Sequence, residues 1–205
     1  MRATIVGLSL LACSLVPAAV RAVIPRLSTE DIGRALAIAR GPESGRARFH
    51  AQYVFDLDNA TVERIEVLTP FRRAELFGED RLRMGDHMFG VRDAQLDIAS
   101  WQNTITIRSQ LRFNPLNVYV TVPEFDVVVG DPAAGGLRVP PLRVSRTPIF
   151  AVGGRARKNA GQPIMGATID AVFDAAAVGG QTWPVGVWLK DQMYAAVPVR
   201  FGEIE

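Results

Sequence analysis

The sequence predicts an antiparallel β-sandwich of immunoglobulin-like or C2-like character, with an N-terminal helix and a helical insertion. Three observations carry that expectation. Apolar and polar residues alternate with period two in several segments, as in Ile105, Ile107, Leu111 and Phe113 against Thr104, Thr106, Arg108, Gln110 and Arg112. Turn residues separate these segments at sandwich-like intervals. Strand patterns follow one another instead of alternating with helices, which argues against a doubly wound sheet.

The chain begins with an address signal. From Ala3 to Val20 no residue is charged, and Arg2 and Arg21 bracket the run. Ile5–Val16 has the length of a signal-peptide apolar region, Pro17 breaks it, and Ala18-Ala19-Val20-Arg21-Ala22 offers small residues for cleavage after Ala22. Residues 1–22 are therefore expected to be removed, leaving one domain over 23–205 without a transmembrane span, periplasmic or extracellular. A second reading takes Leu10-Leu11-Ala12-Cys13 as a bacterial lipobox, which would anchor the protein through a lipidated Cys13.

Removal of residues 1–22 takes away two arginines and no acid, so 21 basic and 21 acidic residues remain. That balance excludes a basic nucleic-acid-binding class. The only cysteine, Cys13, leaves as well, and a domain of this size can bury a core without disulfides.

In the remaining chain Ser28-x-x-Asp31 has capping-box spacing, and Ile32, Ala35, Leu36 and Ala39 form one helical stripe, stopped by Gly41-Pro42. Phe49, Ala51, Tyr53, Phe55 and Leu57 then alternate with polar residues and predict a strand, with His50 on its polar side. Asp58-Asn59 marks a turn, and Val62–Leu68 predicts a second strand. Period two disappears over about 70–100, where Pro70 suits a first helical turn and good helix formers follow, so this block predicts a helical insertion outside the sheet. Strands resume at Thr104–Phe113. Val118–Val122 and Phe125–Val129 are almost wholly apolar and predict strands covered on both faces. Leu137–Val152, cut by Pro140, Pro141 and Pro148, predicts an edge. Met165–Phe173 predicts a further strand and Val185–Phe201 a terminal hairpin, for about eight or nine strands in all.

That hairpin carries a register argument. Val185, Val187 and Leu189 share parity with Met193, Ala195 and Val197. A three-residue loop at Lys190–Gln192 would pair Leu189 with Met193 and set Trp188 opposite Tyr194 on the outer face. Such a pair is either a structural contact or a flat binding surface. The compact basic cluster Arg155, Arg157 and Lys158, in a loop over 153–163, offers a further binding surface for an anionic partner.

Chemistry-bearing patterns are sparse. His50 and His87 are the only histidines, and no H-E-x-x-H or His-x-His spacing occurs, so no metal is expected. Asp56, Asp58, Asn59, Asp126 and Asp131 are the only obvious calcium donors, and aspartate and asparagine are ordinary turn residues. No G-x-S-x-G elbow, phosphate loop or dinucleotide fingerprint is present, so no catalytic residue and no cofactor is assigned. The expectation is an exported, non-enzymatic binding or structural module of the bacterial envelope, whose partner is an envelope protein or glycan. A hydrolase using an acid pair or a histidine, and a lipoprotein scaffold anchored at Cys13, stand as alternatives.

Overall fold

The computed structural model describes residues 23–131, 136–150 and 164–205. Residues 1–22 with Cys13, expected to be a signal segment, and residues 151–163 with Arg155, Arg157 and Lys158, lie outside the described residues. The described chain is mostly strand, arranged as two antiparallel sheets with several helices.

The first helix, α1 (Thr29–Ala39), starts where the capping box places it. The Ser28 side chain accepts from the Asp31 amide, and the Asp31 carboxylate accepts from the Ser28 amide. Its stripe Ile32, Ala35, Leu36 and Ala39 is buried. The predicted strand from Phe49 is instead a second helix, α2 (Glu43–Ala51), followed by only three strand residues, β1 (Val54–Asp56). The reason lies in the spacing. Phe49 and Tyr53 are four apart, so both periods place them on one side, and both are buried. Ala51 decides between the periods: it is exposed, as a helix requires and a strand does not.

β2 (Val62–Leu68) leads into the helical block. Thr69 caps α3 (Pro70–Arg83), with Pro70 in the first turn, and Gly85 follows its end at φ 80°, a left-handed conformation that suits glycine. A short helix, α4 (Val91–Asp97), and a 3-10 turn at Ala99–Trp101 complete the block, which supplies no strand to either sheet. α1 and α3 pack closely because Gly78 stands between them. A Cβ there would lie 2.8 Å from Leu36 Cδ2 and 2.9 Å from the Ala39 Cβ.

The next strands are β3 (Thr104–Arg112), β4 (Phe125–Gly130), β5 (Arg138–Val139), β6 (Arg143–Phe150) and β7 (Ile164–Asp174). A four-residue helix, α5 (Ala175–Val178), precedes β8 (Thr182–Leu189) and β9 (Gln192–Arg200). One sheet has the order β1-β2-β3-β7-β6 and the other β5-β4-β8-β9. The proline-rich stretch lies at the edges as predicted, because β6 closes one sheet and β5 the other. Ile105, Ile107, Leu111, Ile169 and Phe173 from the first sheet share one core with Val127, Val129, Val185, Val187 and Val199 from the second.

Two further expectations about the strands fail. Val118–Val122 joins neither sheet, and Val118 and Val120 are 88% and 76% exposed. Asn side chains turn the backbone away here: Asn114 Oδ1 accepts from the Leu116 amide at 2.9 Å, and Asn117 Oδ1 from the Tyr119 amide at 2.8 Å. Prolines at 115 and 123 flank the segment.

The terminal hairpin has a two-residue turn, Lys190-Asp191, with Lys190 at φ 54°. Leu189 pairs with Gln192 and Trp188 with Met193, and an irregularity restores the pairing of Val187 with Ala195. Tyr194 is the extra residue of a bulge. Parity is conserved along the apolar faces, as the register argument required, but a bulge achieves it instead of a longer loop. Tyr194 consequently packs on the core, with its ring 5.2 Å from that of Phe125, while Trp188 stands on the opposite face beside Gly186. The two rings do not form an outer pair.

Candidate functional site

The sandwich has two dissimilar ends. β2 leaves toward α3 at Leu68, which pairs with Thr106 near the start of β3. Val62 pairs with Leu111 near the end of β3, where the 113–124 segment begins. The helical block and that segment therefore lie at opposite ends.

The helical end concentrates buried polar groups. Arg72 is 2% exposed, donates to the Val67 carbonyl at 2.8 Å, ion-pairs with Glu66 and lies over the Tyr53 ring. Burial lowers the Arg72 pKa, opposed by the charge of Glu66. The Tyr53 hydroxyl donates to the Glu205 main-chain oxygen at 3.0 Å, and Thr69 Oγ1 donates to the same oxygen. Burial raises the Tyr53 pKa. Arg73 lies 3.7 Å from the centroid of Trp101, and its pKa falls to about 10 through burial and the neighbouring Arg108 charge.

Within this end α2 and α3 bring His50, Glu75 and Glu79 together, with one ligating atom from each inside 4.8 Å of the others. His50 Nε2 is 3.3 Å from Glu79 Oε1 and 3.6 Å from Glu75 Oε2. Glu75 and Glu79 are four apart on α3, so their side chains share one face. Glu75 is wholly buried, no donor reaches either of its oxygens, and its protonated form donates to the Glu79 carboxylate; His50 Nδ1 is buried without a partner. Burial first, and the Glu79 charge second, push the Glu75 pKa from 4.5 up to about 8. Arg46 Nε approaches Glu79 Oε1 at 2.8 Å. An open depression of about 240 Å³, lined by Ala39, Arg46, Glu79, Leu82 and Arg83, adjoins the cluster.

Sequence reasoning placed His50 on the exposed side of a strand, so this grouping was out of its reach. The helix misread as a strand is the cause. A weak signal existed in α3, where Glu75 follows Phe71 by four residues and so falls on its buried face. The other donors behave as turn and surface groups. Asp86 Oδ1 caps the turn at Met88 and Phe89, beside the exposed His87. Asn59 Oδ1 accepts from Thr61 and Val62, while Asp56 and Asp126 pair with Arg64 and Arg146.

The opposite end exposes hydrocarbon. Leu116 and Val118 are each 88% exposed and Val120 76%, and Tyr119 is 41% exposed. The segment lies beside the start of β7, because Asn117 Nδ2 donates to the Ile164 carbonyl at 3.0 Å and the Ile164 amide donates to the Tyr119 carbonyl. Ile164 pairs with Phe150, which is 45% exposed, and Ile149 before it is 37% exposed. Edge-to-face and stacked rings run Tyr119, Phe113, Phe125, Tyr194 behind the segment. Trp188 pairs with Met193, 53% exposed, at this end.

Comparison of the chain with protein-family models, with curated proteins and with solved structures gives no match. Among the described residues no helix is long and apolar enough to cross a membrane.

Proposed function

We propose that the protein is an exported, non-enzymatic binding module of the bacterial envelope, an immunoglobulin-like or C2-like sandwich that meets a partner protein through its apolar end. The observation that carries this reading is the exposure of Leu116, Val118 and Val120 on a segment belonging to neither sheet. Contiguous exposed aliphatic side chains of this kind mark interaction surfaces. Among the described residues this strand-prone sequence belongs to neither sheet and touches β7 only at Ile164, and a partner chain supplies a ladder when an extended segment adds to a sheet. Aliphatic side chains suit a protein contact better than a glycan, whose hydroxyls need hydrogen-bond partners. The basic loop residues Arg155, Arg157 and Lys158 then serve partner steering.

Export rests on the charge-bracketed apolar run of residues 1–22. Intact mass of the mature protein checks it: a chain starting at Val23 is expected, and a diacylglycerol-modified Cys13 would establish the lipoprotein alternative instead.

Photo-crosslinking in cells from a reactive residue at position 118, with exposed position 80 as control, tests the docking surface. One discrete adduct from 118, absent from 80 and lost on Val120→Asp, is expected. Identical patterns from both positions would sink the proposal.

One observation favours a second reading, a hydrolase using an acid pair or a histidine: His50, Glu75 and Glu79 supply both groups, and Glu75 has the raised pKa of a general acid. Ester or glycoside hydrolysis abolished by Glu75→Gln would establish it.

A further inference from the structure

We propose that His50 Nε2 and the carboxylates of Glu75 and Glu79 form a binding site for a divalent transition metal of the zinc type, held between α2 and α3. The site is independent of the apolar docking end. A tetrahedral ion with bonds of about 2.0–2.1 Å sets its ligand atoms about 3.3 Å apart. His50 Nε2 already stands 3.3 Å from Glu79 Oε1 and 3.6 Å from Glu75 Oε2. No pair of the three ligating atoms exceeds 4.8 Å, so a small side-chain rotation closes the set.

A second observation points the same way. Glu75 is wholly buried, yet neither of its oxygens accepts a hydrogen bond. No donor from the protein compensates charge on this buried group, which shares a proton with Glu79, and a cation that displaces the proton lets both carboxylates ionise against it. The imidazole is oriented for the task, since Nε2 faces the two carboxylates. His50 and Glu79 remain partly exposed, with side chains 24% and 17% accessible, which leaves an entry path and room for water to complete the coordination. Arg46 holds Glu79 from the solvent side and fixes the direction of that carboxylate. One imidazole with two carboxylates suits zinc, manganese or ferrous iron better than a hard cation such as calcium. The set has no His-x-His spacing, because its nitrogen and its oxygens come from different helices.

Calorimetric titration of the full-length protein with zinc chloride tests the site, and the visible absorption of the cobalt(II) form reports the coordination. One ion per chain is expected. Glu75→Gln and His50→Gln each weaken binding at least about tenfold, Glu79→Gln does so as a second carboxylate probe, and His87→Gln leaves it unchanged. Circular dichroism confirms that each variant is folded. Failure to bind zinc at millimolar concentration overturns the proposal, and so does binding that folded Glu75→Gln or Glu79→Gln leaves intact. The docking end is untouched by all four substitutions, so crosslinking from position 118 stands or falls separately.

Discussion

The two ends of the sandwich invert the usual distribution of groups. At the helical end an arginine, a glutamate and a threonine are buried, whereas at the other end leucine and valines are in water. The difference teaches where each group's partner comes from. Arg72 finds its partners within the chain, in Glu66 and the Val67 carbonyl. Leu116, Val118 and Val120 lie outside the buried core of the described residues, and the proposed partner protein would cover them.

Substitutions can break that contrast. The largest effect is expected from Arg72→Ala, which strands the half-buried Glu66 and the Val67 carbonyl. The denaturation midpoint should report a loss of about 3–5 kcal/mol, against less than about 1 kcal/mol for the exposed pair member in Arg64→Ala. Near-equal losses would show that the helical end is not specially anchored.

Next comes pH. The folded Glu75 holds its proton up to about pH 8, while its ordinary value is 4.5, so the folded state binds the proton where the unfolded chain releases it. For the metal-free protein this contribution is complete below pH 4.5, declines as pH rises toward 8 and is flat above. Its span is on the order of 5 kcal/mol. Glu75→Gln should flatten that decline and stabilise the protein at pH 8. An unchanged slope in urea titrations across this range would place the titration elsewhere.

Gly78→Ala sharpens the comparison at smaller scale. The added methyl meets Leu36 and Ala39 and forces α1 from α3, at about 1–3 kcal/mol, partly offset by about 1 kcal/mol of helix propensity. A net loss near 1 kcal/mol in thermal unfolding is expected, and a gain would mean that the helices can part freely. The smallest effect belongs to the double change Leu116→Asp and Val120→Asp. It should move stability by less than about 0.5 kcal/mol, because neither side chain is buried, while removing the crosslink from the apolar end. A loss of several kcal/mol would show that the segment belongs to the core.

Much of the framework was legible because local pattern and tertiary role agree. The Ser28–Asp31 capping box fixes the start of α1, and the alternation through Ile105, Ile107 and Ile169 fixes the two central strands of the larger sheet. Where one residue pattern satisfies two periods, tertiary packing decides, as at Phe49 and Tyr53. The apolar run at 118–122 misled because hydrophobicity signals burial only where a second layer is available, and here Asn114 and Asn117 turn the backbone out of both sheets. Tyr194 reached the core through a bulge, a one-residue irregularity that period counting cannot see. The His50–Glu75–Glu79 grouping depends on how two helices lean together, information spread over many packing contacts.

The margins of the sheets have a consequence for the protein at high concentration. Among the described strands, β1 and β5 close their sheets with three and two residues, while the longer margins β6 and β9 carry Pro148 and Pro198. Short margins offer little backbone to a second copy, and proline lacks the amide that a growing ladder needs. Fibre growth by edge-to-edge addition is therefore hindered at all four margins.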